Sequence, residues 1–169
     1  LNSSYVVRYT YERIAEDEPN VRERFTSANI PVVGTSSGEV PCRSYDERGC
    51  TMVGLLNNTT ILNLVTVKRD CVAVNPQCKM QITGGTEYWN DRSGRGCTHG
   101  KFIAVDLQLQ GGDYALFNNF IKSKEKIANP FDLCRETYSY KGLRFCNESG
   151  NHWHVDTIGT NSGGSSNTG

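Results

Sequence analysis

The sequence predicts an α+β protein with a small, mostly antiparallel sheet, and three observations carry that reading. Apolar and polar residues alternate after His99, through Thr137–Cys146, and again from His152 to Ile158, which is the period of strands with two different faces. A turn at Lys141-Gly142 joins the halves of the middle stretch into a hairpin. Near-helical apolar spacing occurs instead at 51–68 and 114–127.

Taken in order, residues 1–39 read as an arm and linker. Ser4 to Tyr11 alternates like a strand, and Glu16-Asp17-Glu18-Pro19 reads as the acidic first turn of a helix that continues from Asn20 to Ala28. Gly34 to Gly38 is linker-like. The main domain spans 40–158. Thr51 to Lys68 is its best helix candidate, with Met52, Leu55, Leu56, Ile61, Leu64 and Val65 in helical register. Gly54 and the Asn57–Thr60 cluster are the points where this helix can split. Lys79 to Thr83 is a short strand, and Gly84-Gly85 allows a sharp turn after it. Tyr88 to Cys97 is a polar loop.

The strand after His99 places Ile103, Val105, Leu107 and Leu109 on one face and Asp106 on the other. Gly111-Gly112-Asp113 caps a helix over Tyr114 to Ile127, closed by Pro130. The tail at 159–169 is Gly/Ser-rich and expected to be flexible.

At 169 residues and zero formal net charge, the chain has room for a core and no basic field to attract nucleic acid. No apolar run reaches the length of a membrane span, so no membrane partner is expected. The start at Leu1 carries no charged-then-apolar signal pattern, so any signal peptide is expected to have been removed already. Seven cysteines and N-x-S/T triplets at Asn2, Asn57, Asn58 and Asn147 point to a secreted, extracellular protein. Spacing suggests the local pairs Cys42–Cys50, Cys71–Cys78 and Cys134–Cys146. Two readings of Cys97 stay open: it pairs with one of the others and changes this set, or it is a free thiol beside the site.

The three histidines of the chain, His99, His152 and His154, fall in two short stretches. A catalytic zinc takes three protein ligands and leaves one position open. His99, Asp106 and one of the two late histidines meet that count. His152, His154 and Asp156 share a strand face, with Trp153 and Val155 toward the core. His99 lies seven positions before Asp106, so it cannot share that face in one regular strand. It is expected to reach in from the preceding loop, with Gly100 turning the backbone. Taken singly, each of these residues also fits a packed histidine or a surface aspartate.

The stretch Cys97-Thr98-His99-Gly100-Lys101-Phe102-Ile103-Ala104-Val105-Asp106, followed by His152-Trp153-His154, resembles the zinc metallopeptidases grouping lysostaphin, D-alanyl-D-alanine peptidases and the Sonic hedgehog signalling domain. The likeness is nearest to the D-alanyl-D-alanine carboxypeptidase and endolysin-type branch, whose motif is S-x-H-x-x-G-x-A-x-D. Gln81-Ile82-Thr83-Gly84-Gly85-Thr86-Glu87 is similar to a segment of secreted members, and the resemblance covers about residues 40–158. It implies helices on one sheet face and a zinc site on the other, with one Zn2+ on His99, Asp106 and His154. It implies that His152 serves as base or oxyanion stabiliser; with the two histidines exchanged, Glu148 is the base. The implied reaction is hydrolysis of bacterial cell-wall peptides by zinc-activated water, performed by a monomer. The chain departs from the pattern at Cys97 and Phe102, where the family has serine and glycine. The family's arginine slot holds Thr86 or Glu87, so Arg92, Arg95 or Lys101 would have to supply the charge.

Three functions therefore compete: a secreted peptidoglycan peptidase, a hedgehog-like binding module that keeps zinc without turnover, and a disulfide-rich lectin or effector using Tyr88 and Trp89.

Overall fold

The computed structural model describes residues 3–34, 40–87 and 98–159, with side chains described from residue 10. The linker at 35–39, the Tyr88–Cys97 loop with its arginines and aromatics, and the tail beyond residue 159 lie outside the described residues.

Helix α1 spans Ser3–Ser27 and α2 spans Asn58–Val74. Strands β1 (Ile82–Gly84) and β2 (Ala104–Gln108) precede a short 3-10 turn at Gly112–Tyr114 and helix α3 (Ala115–Lys122). Strands β3 (Glu125–Ile127), β4 (Cys134–Tyr140), β5 (Leu143–Glu148) and β6 (His152–Thr157) follow among the described residues. The six strands form one open sheet in the order β1-β2-β6-β5-β4-β3, every neighbouring pair antiparallel. The α+β class and the antiparallel sheet are as the sequence predicts.

Several local expectations are corrected. Residues 4–11 are not a strand but part of α1, which also runs through Pro19. Tyr11, Ile14, Glu18, Val21 and Phe25 repeat at alternating spacings of three and four, so they share one helix face. The acids expected to begin a helix cap a distant loop instead. Glu18 Oε1 accepts the N–H groups of Val53 and Gly54, each at 2.7 Å, and Asp17 Oδ2 accepts that of Leu55 at 2.8 Å. These contacts outweigh the local preference of proline against a helix interior. The stretch expected as an arm also contributes Val21 and Phe25 to the same apolar cluster as Trp153.

Helix α2 starts at Asn58, not at Thr51, because Asn57 is its cap: the side chain accepts from the N–H groups of Thr59 at 2.9 Å and Thr60 at 3.3 Å. Residues before it turn through Leu55 at φ 66°. The expected Tyr114–Ile127 helix stops at Lys122, and Glu125–Ile127 is the polar edge strand β3. Exposed charges suit an unpaired sheet edge as well as a helix surface. The Lys141-Gly142 hairpin forms as expected, both turn residues having positive φ (51° and 78°).

One face of the sheet presents Val105, Leu107, Tyr138, Leu143, Phe145, Trp153 and Val155 to the helices in a single buried cluster. Ile61, Leu64 and Val67 of α2 and Phe117, Phe120 and Ile121 of α3 cover it. Trp153, fully buried, donates its indole N–H to Asn118 Oδ1 at 2.9 Å, so its polar atom is satisfied inside the core. The hydroxyls of Thr60 and Thr157 meet between α2 and β6.

The three expected disulfides, Cys42–Cys50, Cys71–Cys78 and Cys134–Cys146, are formed. They use every cysteine except Cys97, which lies outside the described residues, and they fit an oxidising compartment. Among the described residues no helix is long and apolar enough to cross a membrane. Of the N-x-S/T acceptors within them, Asn57 and Asn147 are buried and Asn58 is exposed.

Candidate metal centre

Strand register brings the predicted residues together. Asp106 on β2 is the direct cross-strand partner of His154 on β6, and His152 faces Gln108 on one side and Glu148 on the other. Because Val105, Trp153 and Val155 point into the core, their neighbours Asp106, His152 and His154 project from the opposite face. His99 comes from the turn at 98–102 that precedes β2, as strand parity requires. The left-handed residue of that turn is Phe102, with φ 61°, rather than the expected Gly100. Phe102 stands where the resembled motif has glycine, and left-handed backbone is the conformation that glycine enters at least cost.

Around Asp106 Oδ1 stand His99 Nε2 at 3.3 Å, His152 Nε2 at 3.4 Å and His154 Nδ1 at 3.6 Å. One ligand atom each from His99, Asp106 and His154 lie within 4.8 Å of one another, and all three residues are buried. Asp106 Oδ1, His152 Nε2 and His154 Nδ1 are buried without a partner in hydrogen-bonding geometry. Buried polar atoms are rarely left so, and imidazole nitrogens with a carboxylate are the donors that hold a transition metal. This His-Asp-His group can hold a metal ion.

The far sides of the imidazoles are also held. His99 Nδ1 lies 2.9 Å from the carbonyl oxygen of Gly85. A carbonyl only accepts, so Nδ1 carries the proton and Nε2 offers its lone pair to the site. His154 Nε2 lies 2.9 Å from Thr98 Oγ1 and 3.5 Å from Asp156 Oδ2. Cys146 is the cross-strand neighbour of His154, and the Phe131 ring meets the His154 ring edge-on at 5.3 Å. His152 is the most exposed of the three, its side chain 23% accessible, with Nε2 3.3 Å from Glu148 Oε1.

Without a metal, the charges balance one another. Burial opposes ionisation of Asp106, but the surrounding imidazoles outweigh it and hold the carboxyl well below its usual range. Burial likewise disfavours the cation at His154, yet Asp106 and Asp156 push its pKa up to about 9. His152 is raised in the same sense, burial being outweighed by Glu148 and Asp106.

Glu87 is buried behind the site, its Oε1 accepting from Met52 N–H at 2.9 Å and Gly85 N–H at 3.0 Å. Thr86 Oγ1 donates to the Gly54 carbonyl at 2.8 Å. Both residues in the resembled arginine slot are therefore turned inward as fasteners of the glycine turn. Lys101 is exposed on the turn carrying His99, and Arg92 and Arg95 lie outside the described residues.

Burial raises the Glu87 carboxyl to about 8 against the opposing backbone N–H groups. The folded state then binds more protons than the unfolded one between about 4.5 and 8, so this group's contribution to stability is present below that window and lost as pH rises through it. E87Q keeps an acceptor and cannot ionise. Thermal melts are expected to show it gaining on the parent from pH 5 to pH 8; an offset independent of pH would refute the assignment.

Sequence reasoning passed over Arg144, Thr98 and the Gly85 carbonyl. Parity placed Asp156 on the correct face, but its partner Arg144 follows only from the β5–β6 register.

The fold and site define an α+β protein with a candidate metal centre on one sheet face. Comparison with family models, curated proteins and solved structures finds no match to the chain.

Proposed function

We propose that the chain is a secreted zinc metallopeptidase, a hydrolase of peptide bonds in bacterial peptidoglycan of the D-alanyl-D-alanine carboxypeptidase or endopeptidase type. The observation that supports it most is the convergence of His99, Asp106 and His154 beside a His152–Glu148 pair. The left-handed backbone at Phe102 adds support for the motif resemblance.

His99, Asp106 and His154 would hold the zinc, which when bound would supply Lewis-acid chemistry for water and a substrate carbonyl. Glu148 Oε1, 3.3 Å from His152 Nε2, places a negative charge beside the imidazole and favours its protonated form. His152, at the more open side of the site, takes a proton at that atom and returns it to the leaving amine. The sheet and the two turns hold these groups in place before substrate arrives, which is where a fixed site gains rate.

The test compares H154A and H152A for zinc content and for amino groups released from bacterial cell walls. H154A is expected to lose zinc. H152A is expected to keep it and lose about 10²–10⁴-fold in rate, and a chelator is expected to abolish release by the parent. Full zinc in both variants would exclude this ligand set.

The inward-turned Thr86 and Glu87 favour a second reading, a hedgehog-like module that binds zinc without turnover. Zinc content with no release of amino groups from cell walls would select it.

A further inference from the structure

We propose that Arg144 and Asp156 are positioning residues that fix the His154 ring so that Nδ1 faces the metal; this rests on His154 being a ligand. An imidazole has two nitrogens, and only the one without a proton can bind a metal. The ring therefore needs an acceptor at Nε2. Asp156 Oδ2 lies 3.5 Å from that nitrogen, on the same strand two residues along.

A carboxylate 1% exposed would be costly alone. Arg144, its direct cross-strand partner, grips both oxygens: Nε to Oδ1 at 2.9 Å and Nη2 to Oδ2 at 2.8 Å. A two-pronged arginine contact fixes the carboxylate plane as well as its charge. The chain Arg144–Asp156–His154 thus runs from the edge of the site to the metal. Such outer contacts set ligand orientation and basicity in metal sites generally. Thr98 Oγ1 at 2.9 Å, itself beside His99, braces the same nitrogen from the opposite loop.

The outer side of Arg144 lines a cavity of about 280 Å³ with Thr98, Lys101, Ile103 and Thr157. That space admits a small cation, which gives the idea a chemical test. Zinc affinity is measured by competition with a coloured chelator for the parent, D156N, R144A and R144K, and the visible spectrum of the cobalt-substituted forms is recorded.

D156N and R144A are expected to weaken zinc about 10–100-fold and to shift the cobalt bands. Added guanidinium is expected to restore R144A, while sodium chloride at equal ionic strength does not. R144K keeps the charge without the fork and is expected to fall between parent and R144A.

Folded D156N and R144A that hold zinc within about twofold of the parent would overturn the proposal and leave the metal site standing. If those two fail to fold, parent-like zinc affinity in R144K overturns it as well. Absence of zinc from the parent would instead remove the proposed function, and this inference with it.

Discussion

Replacing Asp106 with alanine is expected to remove stoichiometric zinc from the purified protein. The three imidazoles stand 3.3–3.6 Å from this one carboxylate oxygen, so its loss takes away both a proposed ligand and the charge that gathers the others. Four-ligand zinc sites are worth about 10–16 kcal/mol, or about 3 kcal/mol per ligand. Losing one ligand therefore weakens zinc by about two orders of magnitude.

Stability reports the same event. If the proposed zinc site holds, the parent is expected to gain about 4 kcal/mol when free zinc is a thousandfold above its dissociation constant, and D106A at that concentration much less. The metal-free proteins differ too. His154 is raised from 6.5 to about 9 with Asp106 the first of its favourable partners. The stabilisation from its protonated form is complete below about 6.5 and lost as pH rises through about 9. D106A gives up part of it, so metal-free D106A is expected to melt below the metal-free parent at pH 6 and to approach it above pH 9. Zinc retained at one ion per chain in D106A would show that the ion sits elsewhere.

What could be read from the sequence follows the range of the interactions involved. The β4–β5 hairpin, strand β6 and the three disulfides depend on near neighbours: alternation, a Lys-Gly turn, and cysteines 7 to 12 residues apart. The meeting of His154 with Asp106 follows from strand parity once their strands share a sheet, and β2–β6 pairing supplies that. The misread pieces are those where a distant partner decides. The second half of helix α1 is legible from Glu16 onward, but its first half hid because Ser4 to Tyr11 alternates like a strand, and the reason for the buried acid at Glu18 lies at Val53 and Gly54. Strand β3 hid because its exposed Glu125 and Lys126 look like a helix surface until β4 is known to lie beside them. The Gly85 carbonyl and Arg144 could not be chosen among many candidates without the register that places them.

Gly54→Ala tests the docking of α1 on the loop before α2 and is expected to be strongly destabilising. A Cβ at Gly54 would lie 2.0 Å from the carbonyl oxygen of Ile14 and 2.9 Å from its carbon. Both are backbone atoms inside α1, so neither can swing aside as a side-chain tip can. Helix and loop must separate, and with them go the bonds from Asp17 and Glu18 to the N–H groups of residues 53–55. Arg22 holds the same seam by donating to the carbonyls of Val32 and Thr51, each at 2.9 Å. The disturbance also reaches the site. Thr86 bonds to the Gly54 and Met52 carbonyls, and Glu87 bonds to Met52 N–H, so the turn presenting the Gly85 carbonyl to His99 is anchored on this loop. Overpacking at rigid contacts costs about 1–3 kcal/mol and more when backbone must move, and a stripped buried acid adds about 1–3 kcal/mol. G54A is thus expected to lose about 4 kcal/mol or fail to accumulate folded, with zinc affinity falling in whatever does fold. Gly112→Ala is the control, since nothing lies within 4 Å of its added Cβ, and it is expected to stay within about 0.5 kcal/mol of the parent. Equal urea midpoints for the two variants would mean that α1 does not dock on this loop, and that the glycine turn behind His99 is held by something else.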